Sequence, residues 1–490
     1  MLDGQTTAGA HLVGASIPRS GHHFLVDLLT ALLGDGIRYC EFYAEAGCCR
    51  RIPCAVPTAG AIRFQKHHDL ALDLPTDVPG VLYVVQTRDP VMSTLSDREH
   101  LARFEGEARA ADRDESVLWL GRKASYYQRF VEKWVHRPPA AHLHLPYDDL
   151  VADPAAALRQ LTAACGVEVD DARLAAAVGA VAGHRAAPAE EAPERFTRRR
   201  RTDSPYLDAE LLAAFESLLC EHLPELRPGR LLADVDHRRS PVTPVYEAEQ
   251  ACAAGDLLGA LGHLDAARAL EPRNRYLLGA RADLLARLGR LDEAIAAATS
   301  AAELEPGDAL ALRRVSNLHV RRTMADLVGA RAVAERLVAL RPDDAGDRVH
   351  LASICMRLGD RDAAVGHARR ALSAGARDAF VWRYASEVLA TFGQLEAALA
   401  AVQGGIERSP FVGEFHHHAA NLLTGLGRPG EAAAAHRRAL ELEPDQPHWH
   451  WKYVEDLLRA GATAEAEGAL ADALARFPAD RRLVAQRARL

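Results

Sequence analysis

The second half of this chain is punctuated at a fixed interval. Prolines stand at Pro272, Pro306, Pro342, Pro410, Pro444 and Pro478, and 34 residues separate Pro272 from Pro306, Pro410 from Pro444, and Pro444 from Pro478. The step from Pro306 to Pro342 is 36, a two-residue insertion, and Ala376 takes the boundary place between Pro342 and Pro410. Seventeen residues before six of these boundaries lies a glycine: Gly255, Gly289, Gly359, Gly393, Gly427 and Gly461. Five residues after each glycine lies an alanine: Ala260, Ala294, Ala364, Ala398, Ala432 and Ala466. A unit of this length is two helices. The glycine permits the turn between them, the alanine permits close packing, and the proline marks the boundary. Seven such units fit between about residues 241 and 479, the third with Thr323 in place of its glycine. One unit cannot bury its apolar face alone, so the units must stack into a superhelix with a concave groove.

The first half has no such period, and 490 residues call for two or more domains. Its densest signal is LVGASIPRSGHHFLVDLL at residues 12–29. It reads as a buried strand over 12–17, a tight loop over 18–22 and a helix from His23. A loop that feeds a helix N-terminus is an anion site, because backbone N–H groups and the helix dipole point at it. Pro18 opens the loop, Arg19 adds a fixed cation, Ser20 a hydroxyl, and Gly21 lets the backbone come close. The pattern GxxxxGK[ST] is absent, which argues against a nucleotide kinase.

Three further stretches follow in order. Residues 62–65 read as a short strand that delivers Lys66, His67 and His68. Lys66 stands out because the chain prefers arginine and has four lysines in all: Lys66, Lys123, Lys133 and Lys452. VLYVVQ at 81–86 is a buried parallel strand by its continuous apolar run. After it come Arg88 at the strand end, Pro90 in a helix first turn, and Ser96 eight residues after Arg88. Helix is expected over 115–134, a strand over 142–145, and a helix opening at Asp153-Pro154. Tyr147 reads as a packing residue. Residues 206–219 read as the closing helix of this half.

These motifs resemble those of the PAPS-dependent sulfotransferases. P-R-S-G is similar to the family's 5′-phosphosulfate loop, P-[KR]-S-G-T-T, with His22 and His23 where the family has two threonines. Lys66-His67-His68 resembles its K-T-H segment. Arg88 with Ser96 resembles its 3′-phosphate motif, and Tyr147-Asp148-Asp149-Leu150 its Y-E-D-L segment. The resemblance spans about residues 12–232. It implies that Pro18, Arg19, Ser20, Gly21, His22, His23, Arg88 and Ser96 hold PAPS, and that Arg199 and Arg200, within the basic run 195–201, close over its 3′-phosphate. It further implies three catalytic roles: Arg19 on the leaving phosphate, Lys66 on the sulfuryl oxygens, and His68 as the base. No metal is needed in such a reaction. The period of the second half is that of the tetratricopeptide repeat (TPR), in which the first helix of each unit lines the groove. By position Arg383, Glu387, His417, Asn421, Trp451 and Glu455 face it.

The expected architecture is therefore an α/β domain, P-loop-like and three-layered with a parallel sheet, over 1–235. A linker over 236–244 and an all-α TPR solenoid over 245–490 follow. The expected function is sulfuryl transfer from PAPS to a hydroxyl or amine, with the solenoid recruiting a protein, peptide or carbohydrate-bearing acceptor. A TPR adaptor whose front domain binds nucleotide without catalysis is the alternative. A net charge of −8 speaks against nucleic acid and anionic membrane as partners. No apolar run is long enough to span a bilayer, and the N-terminal residues lack a secretory pattern, so a cytoplasmic protein is expected. Eight cysteines suit a reducing compartment. Cys40, Cys48, Cys49 and Cys54 lie close together but without paired metal-ligand spacing, and the run 39–54 reads as an irregular segment near the site's mouth. His416, His417 and His418 are consecutive, so on a helix they point in different directions rather than at one metal.

Overall fold

Among the described residues five short strands form one sheet: β1 (Ala10–Ser16), β2 (Ile37–Glu41), β3 (Ile62–His67), β4 (Val81–Gln86) and β5 (His142–His144). Every pairing is parallel, in the order β2-β3-β1-β4-β5. The computed structural model describes residues 10–41, 52–53, 62–185, 204–323 and 326–487. Strands buried on both faces read as unbroken apolar runs, which is why β1 and β4 were legible. Strand β2 differs from the irregular segment expected there. It is a half-buried edge strand, and its register on β3, Ile37 opposite Ile62 and Glu41 opposite Lys66, holds it there.

Helices cover both faces. On one lie α1 (His22–Leu33) and, later in the chain, α6 (Pro154–Ala164) and α7 (Asp171–Arg185). Their leucines pack with Leu12, Phe64 and Val84, the residues that alternation turns to that side. Before those two helices come α2 (Pro90–Glu105), α3 (Glu107–Ala110), α4 (Arg113–Val131), which runs into a π-helical turn at Glu132–His136, and α5 (Tyr147–Ala152). The second face is closed from the α4 side, where Trp134 lies 5.5 Å from the Tyr83 ring. Helix α8 (Ala209–His222) packs on α2 and α4. A buried guanidinium ties these helices together. Arg98 donates to the carbonyls of Ala110 (2.7 Å), Arg109 and Asp112 (both 3.3 Å), to Ser116 Oγ (3.0 Å) and to Glu115 (3.1 Å).

From residue 242 the described chain is helical pairs: α9 (Val242–Ala253), α10 (Leu257–Leu270), α11 (Arg275–Arg287), α12 (Leu291–Leu304), α13 (Ala309–Arg322), α14 (Leu327–Leu340), α15 (Ala345–Arg357) and α16 (Arg361–Ser373). They continue as α17 (Ala379–Thr391), α18 (Leu395–Arg408), α19 (Gly413–Gly425), α20 (Pro429–Leu442), α21 (Pro447–Arg459), α22 (Thr463–Arg476) and a last helix α23 (Arg481–Arg487). The six turn glycines have φ between 73° and 84° with open space around each Cα, so backbone conformation and not crowding demands glycine there. The six alanines five residues on are fully buried, where a larger side chain would force the helices apart.

Packing divides the chain into two compact units, Met1–Arg290 and Leu291–Leu490. The first three repeat helices thus belong with the sheet. The expected linker 236–244 holds a 3₁₀ turn at His237–Arg239 and the first residues of α9.

Candidate functional site

The strand order brings three motif-bearing ends together. Strands β3, β1 and β4 are neighbours, and a parallel sheet puts their C-terminal ends on one edge, where the chain reverses its winding direction. The Pro18 loop, Lys66 to His68, and Arg88 all leave from that edge.

The loop is held from beneath. Ser93 Oγ donates to Pro18 O at 2.6 Å, and Arg88 Nη1 to Arg19 O at 2.8 Å. Arg19 takes a left-handed φ of 63°, rare for a side-chain-bearing residue, and Gly21 a φ of 82°. Gly21 could hold no side chain, since a Cβ there would lie 2.3 Å from the Tyr147 ring. The same ring stacks on Arg88, whose guanidinium carbon is 4.4 Å from its centroid. Arg19 Nε donates to Ser96 Oγ at 3.3 Å, so Arg19, Arg88 and Ser96 form one cluster. Burial draws the Arg19 pKa down and Asp97 opposes that, but a guanidinium stays charged. Ser20 is 1% exposed and its Oγ has no hydrogen-bond partner among the described residues. A buried hydroxyl left this way costs about 1–3 kcal/mol, which a ligand oxygen would recover.

The two histidines after Gly21 part company. The His22 ring lies over Gly14, where a Cβ would meet its Cε1 at 2.5 Å, and 4.9 Å from the Phe64 ring. Burial, and then the charge of Lys66, push its pKa well below the ordinary value; Gln86 lies close without closing a hydrogen bond. Its side chain therefore faces the sheet, and what His22 offers the loop is its backbone N–H. His23 turns outward and donates Nε2–H to Glu41 Oε1 at 2.6 Å. That oxygen also accepts from Tyr39 Oη at 3.0 Å and Lys66 Nζ at 3.2 Å. Because His23 spends its proton on Glu41, its 3.2 Å approach to Lys66 Nζ is a contact between two donors. Partial burial pushes the Glu41 carboxyl up, but the His23 hydrogen bond and the Lys66 charge outweigh it and hold its pKa at about 2. Glu41 was missed in the sequence. Its only signal is a carboxylate on a short strand, and its partner becomes visible only through the register that puts it opposite Lys66.

His68 is held at three points. Its Nδ1 lies 3.0 Å from Ser16 O and 3.1 Å from Ser16 Oγ; a carbonyl only accepts, so Nδ1 carries the proton and Nε2 a bare lone pair. Its own carbonyl accepts from Tyr126 Oη at 2.7 Å. The next residue, Asp69, is fully buried and accepts from Lys133 Nζ (2.7 Å), Trp134 Nε1 (2.8 Å) and Leu74 N (2.8 Å). Burial, and then Lys66, lower the His68 pKa to about 4, so the ring is neutral near pH 7. His67 instead accepts from Asp69 N at 2.7 Å.

Arg199, Arg200, Cys48, Cys49 and Cys54 lie outside the described residues. Among the described residues no group of three metal-ligating side chains occurs, and no helix is long and apolar enough to cross a membrane. His416, His417 and His418 point to three separate partners, Pro410 O, His436 and Ser386. His436 Nδ1 donates to buried Asp456, so its Nε2 accepts from His417, whose Nε2 accepts from Asn421. Trp451 stacks on His448 and carries Lys452 and Arg482 against its ring, while Arg383 lies within 3.5 Å of Glu387 and Glu414.

Residues 64–171 match the sulfotransferase family, and residues 276–308 match the tetratricopeptide repeat. The chain carries a sulfotransferase-family domain followed by tetratricopeptide repeats. The matched stretch of the sulfotransferase-family domain includes Lys66, His68, Arg88, Ser96 and Tyr147, and begins after the Pro18 loop. No curated protein matches the chain. Among solved structures, a tetratricopeptide repeat protein from Parabacteroides merdae is similar at 17% identity over 48% of this chain and 93% of its own, with a TM-score of 0.38. PilW, a type IV pilus biogenesis factor, is similar at 16% identity over 43% and 97%, with a TM-score of 0.37. YrrB, described as a TPR protein with an unusual peptide-binding site, is similar at 19% identity over 37% and 93%, with a TM-score of 0.30.

Proposed function

We propose that this chain transfers a sulfuryl group from PAPS to an acceptor hydroxyl or amine. The observation that carries the reading is His68: its Nδ1 is committed to Ser16, which leads into the Pro18 loop, and its Nε2 lone pair sits on a neutral ring under the charge of Lys66. PAPS supplies the activated sulfuryl group and a phosphate that leaves as a weak base. The loop N–H groups, Ser20 Oγ and Arg19 suit its 5′-phosphosulfate, because fixed donors and a permanent cation stabilise the charge that gathers there. Arg88 and Ser96 suit the 3′-phosphate; Arg88 uses one of its five donors on Arg19 O and keeps others for a ligand. Lys66, held at the strand end by Glu41, offsets charge on the sulfuryl oxygens. His68 Nε2 takes the acceptor proton. Glu41 is a poorer base, since a pKa of about 2 lies further from working pH than about 4.

The alternative is an adaptor that binds nucleotide and does not catalyse. Calorimetry with PAP against ADP, followed by a sulfate-transfer assay on wild type and His68→Ala, separates the two. Selective PAP binding with turnover that drops about 10²–10⁴-fold in His68→Ala supports the enzyme. Selective PAP binding with no turnover in wild type selects the adaptor.

The helical array is proposed to recruit a macromolecular acceptor, or the protein that bears one, by raising its local concentration at the site. Polar and aromatic residues on the first helices of the last pairs support this, Arg383, His417, Asn421 and Trp451 among them. Trp451→Ala is expected to raise KM for the native acceptor and leave kcat on a small surrogate acceptor unchanged. Equal kinetics on both acceptors would remove the recruitment reading.

A further inference from the structure

Helix α4 touches two things that the sequence keeps far apart. At about 100° per residue, positions 121, 125 and 128 share one side of it, and 123, 126 and 127 the opposite side. The first side receives the opening helix of the repeats. Gly121 leaves room for that helix: a Cβ there would meet Val245 Cγ1 at 2.4 Å, and Val245 is fully buried. Around it Ser125 Oγ donates to Gln250 at 3.3 Å, Tyr246 Oη to Gln128, and Arg122 to Glu249 at 2.8 Å. The start of α4 is held by α11. Asp112 caps α4 through one carboxylate oxygen, which accepts from Glu115 N, and its other oxygen accepts from Arg275 at 2.6 Å and Tyr276 at 3.1 Å. All of these residues lie within the compact unit that ends at Arg290.

The second side of α4 reaches the site by two routes. Tyr126 Oη donates to the carbonyl of His68 at 2.7 Å. Tyr127 Oη donates to Ser93 Oγ at 3.0 Å, and Ser93 Oγ in turn donates to Pro18 O at 2.6 Å. The group read as the base and the loop read as the phosphosulfate site are therefore both referenced to α4. An α-helix is stiff over this length, so a shift imposed on one side is felt on the other.

We infer that the first repeat helices are part of the catalytic unit: α9 and α11 set the position of α4, and Tyr126 and Tyr127 are positioning residues that pass that position to His68 and the Pro18 loop. The boundary of the functional domain is then near residue 290 and not near 235, and the helices α9 to α11 belong with the chemistry. The inference rests on the sulfotransfer reading for its effect on turnover, though not for its effect on His68 itself.

The test uses the full chain. Gly121→Ala wedges α4 from α9, and Val245→Gly in the same chain removes Val245 Cγ1 and Cβ, the two atoms nearest the new methyl, and leaves Tyr246 N at 3.0 Å. Tyr126→Phe removes one oxygen and no packing. Turnover is expected to fall about 10- to 100-fold in Gly121→Ala and in Tyr126→Phe, the scale set by a displacement of about 1 Å at a reacting group, and to recover at least in large part in Gly121→Ala/Val245→Gly. KM for a small acceptor should hold in Tyr126→Phe. The imidazole of His68, followed by NMR, should titrate nearer the ordinary histidine value in both single variants as its cover loosens, and return in the double variant. Unchanged turnover and unchanged His68 titration in folded Tyr126→Phe and Gly121→Ala would overturn the inference. If wild type shows no turnover at all, the sulfotransfer reading fails, and the His68 titration alone still decides whether α9 positions it.

Discussion

The His68 environment makes a sharp statement about pH. A solvated histidine acting as base loses activity as pH falls through about 6.5; here burial, and then the Lys66 charge, move that point to about 4. The sign is fixed by which form works. The neutral ring is the base, so activity is present above the pKa of the folded protein and lost below it. At pH 5.5 a ring of pKa about 4 is still about 97% neutral, against about 9% for one of pKa about 6.5, a tenfold difference in rate. The assay is kcat/KM of the full chain from pH 4.5 to 8, each point paired with a return to pH 7 so that unfolding is separated from titration. That control matters. Between about 6.5 and 4 the unfolded chain takes up a proton that folded His68 refuses, so stability falls in that window by up to about 3 kcal/mol from this residue. Lys66→Met should move the acidic limb up only part of the way, because burial is the larger cause. An acidic limb centred near 6.5 in wild type would refute the reasoning: His68 would be solvated, or the base would be another group.

Three other outcomes follow from contacts described above. Arg88→Ala should weaken PAP binding by about 1.5–3 kcal/mol in calorimetry, the range for a hydrogen bond to a charged group, and change binding of adenosine 5′-phosphosulfate far less; equal losses would mean that Arg88 does not read the 3′-phosphate. Asp69→Asn should lower stability in urea by about 3 kcal/mol, since it strips the charge from a buried carboxylate that Lys133 and Trp134 share, and should shift Trp134 fluorescence. Arg98→Lys should be nearly as destabilising as Arg98→Ala, about 3–5 kcal/mol by thermal melt, because an ammonium cannot serve the five acceptors that the guanidinium fork reaches; rescue by lysine would show that charge alone matters there.

Much of the fold is legible in the sequence because its signals are local. Strand β4 is one apolar run, and the repeat turns announce themselves through a glycine that the backbone demands at φ near 75°. Proximity of Arg19 to Ser96 was legible only through resemblance, since their hydrogen bond crosses 77 residues. Three features were not legible. Nothing in the string His22-His23 says which ring turns inward; the first turn of α1 decides it by rotating one over Gly14. Glu41 takes its meaning from strand register. The union of α4 with α9 rests on Gly121 meeting Val245, and a glycine in a helical pattern reads as a weak position until its neighbour is known.

The scarcity of lysine has a consequence for chemistry done on this protein from outside. The chain's four lysines are all engaged: Lys66 with Glu41, Lys123 with Asp97, Lys133 with Asp69 and Lys452 with Glu455, and their side chains are between 8% and 25% exposed. The cationic surface is therefore guanidinium, which neither acylates readily nor accepts ubiquitin. An amine-directed reagent meets three other lysines, of which Lys133 and Lys452 are more exposed than Lys66, so the rate at Lys66, read by peptide mapping, reports on how firmly Glu41 holds that ammonium.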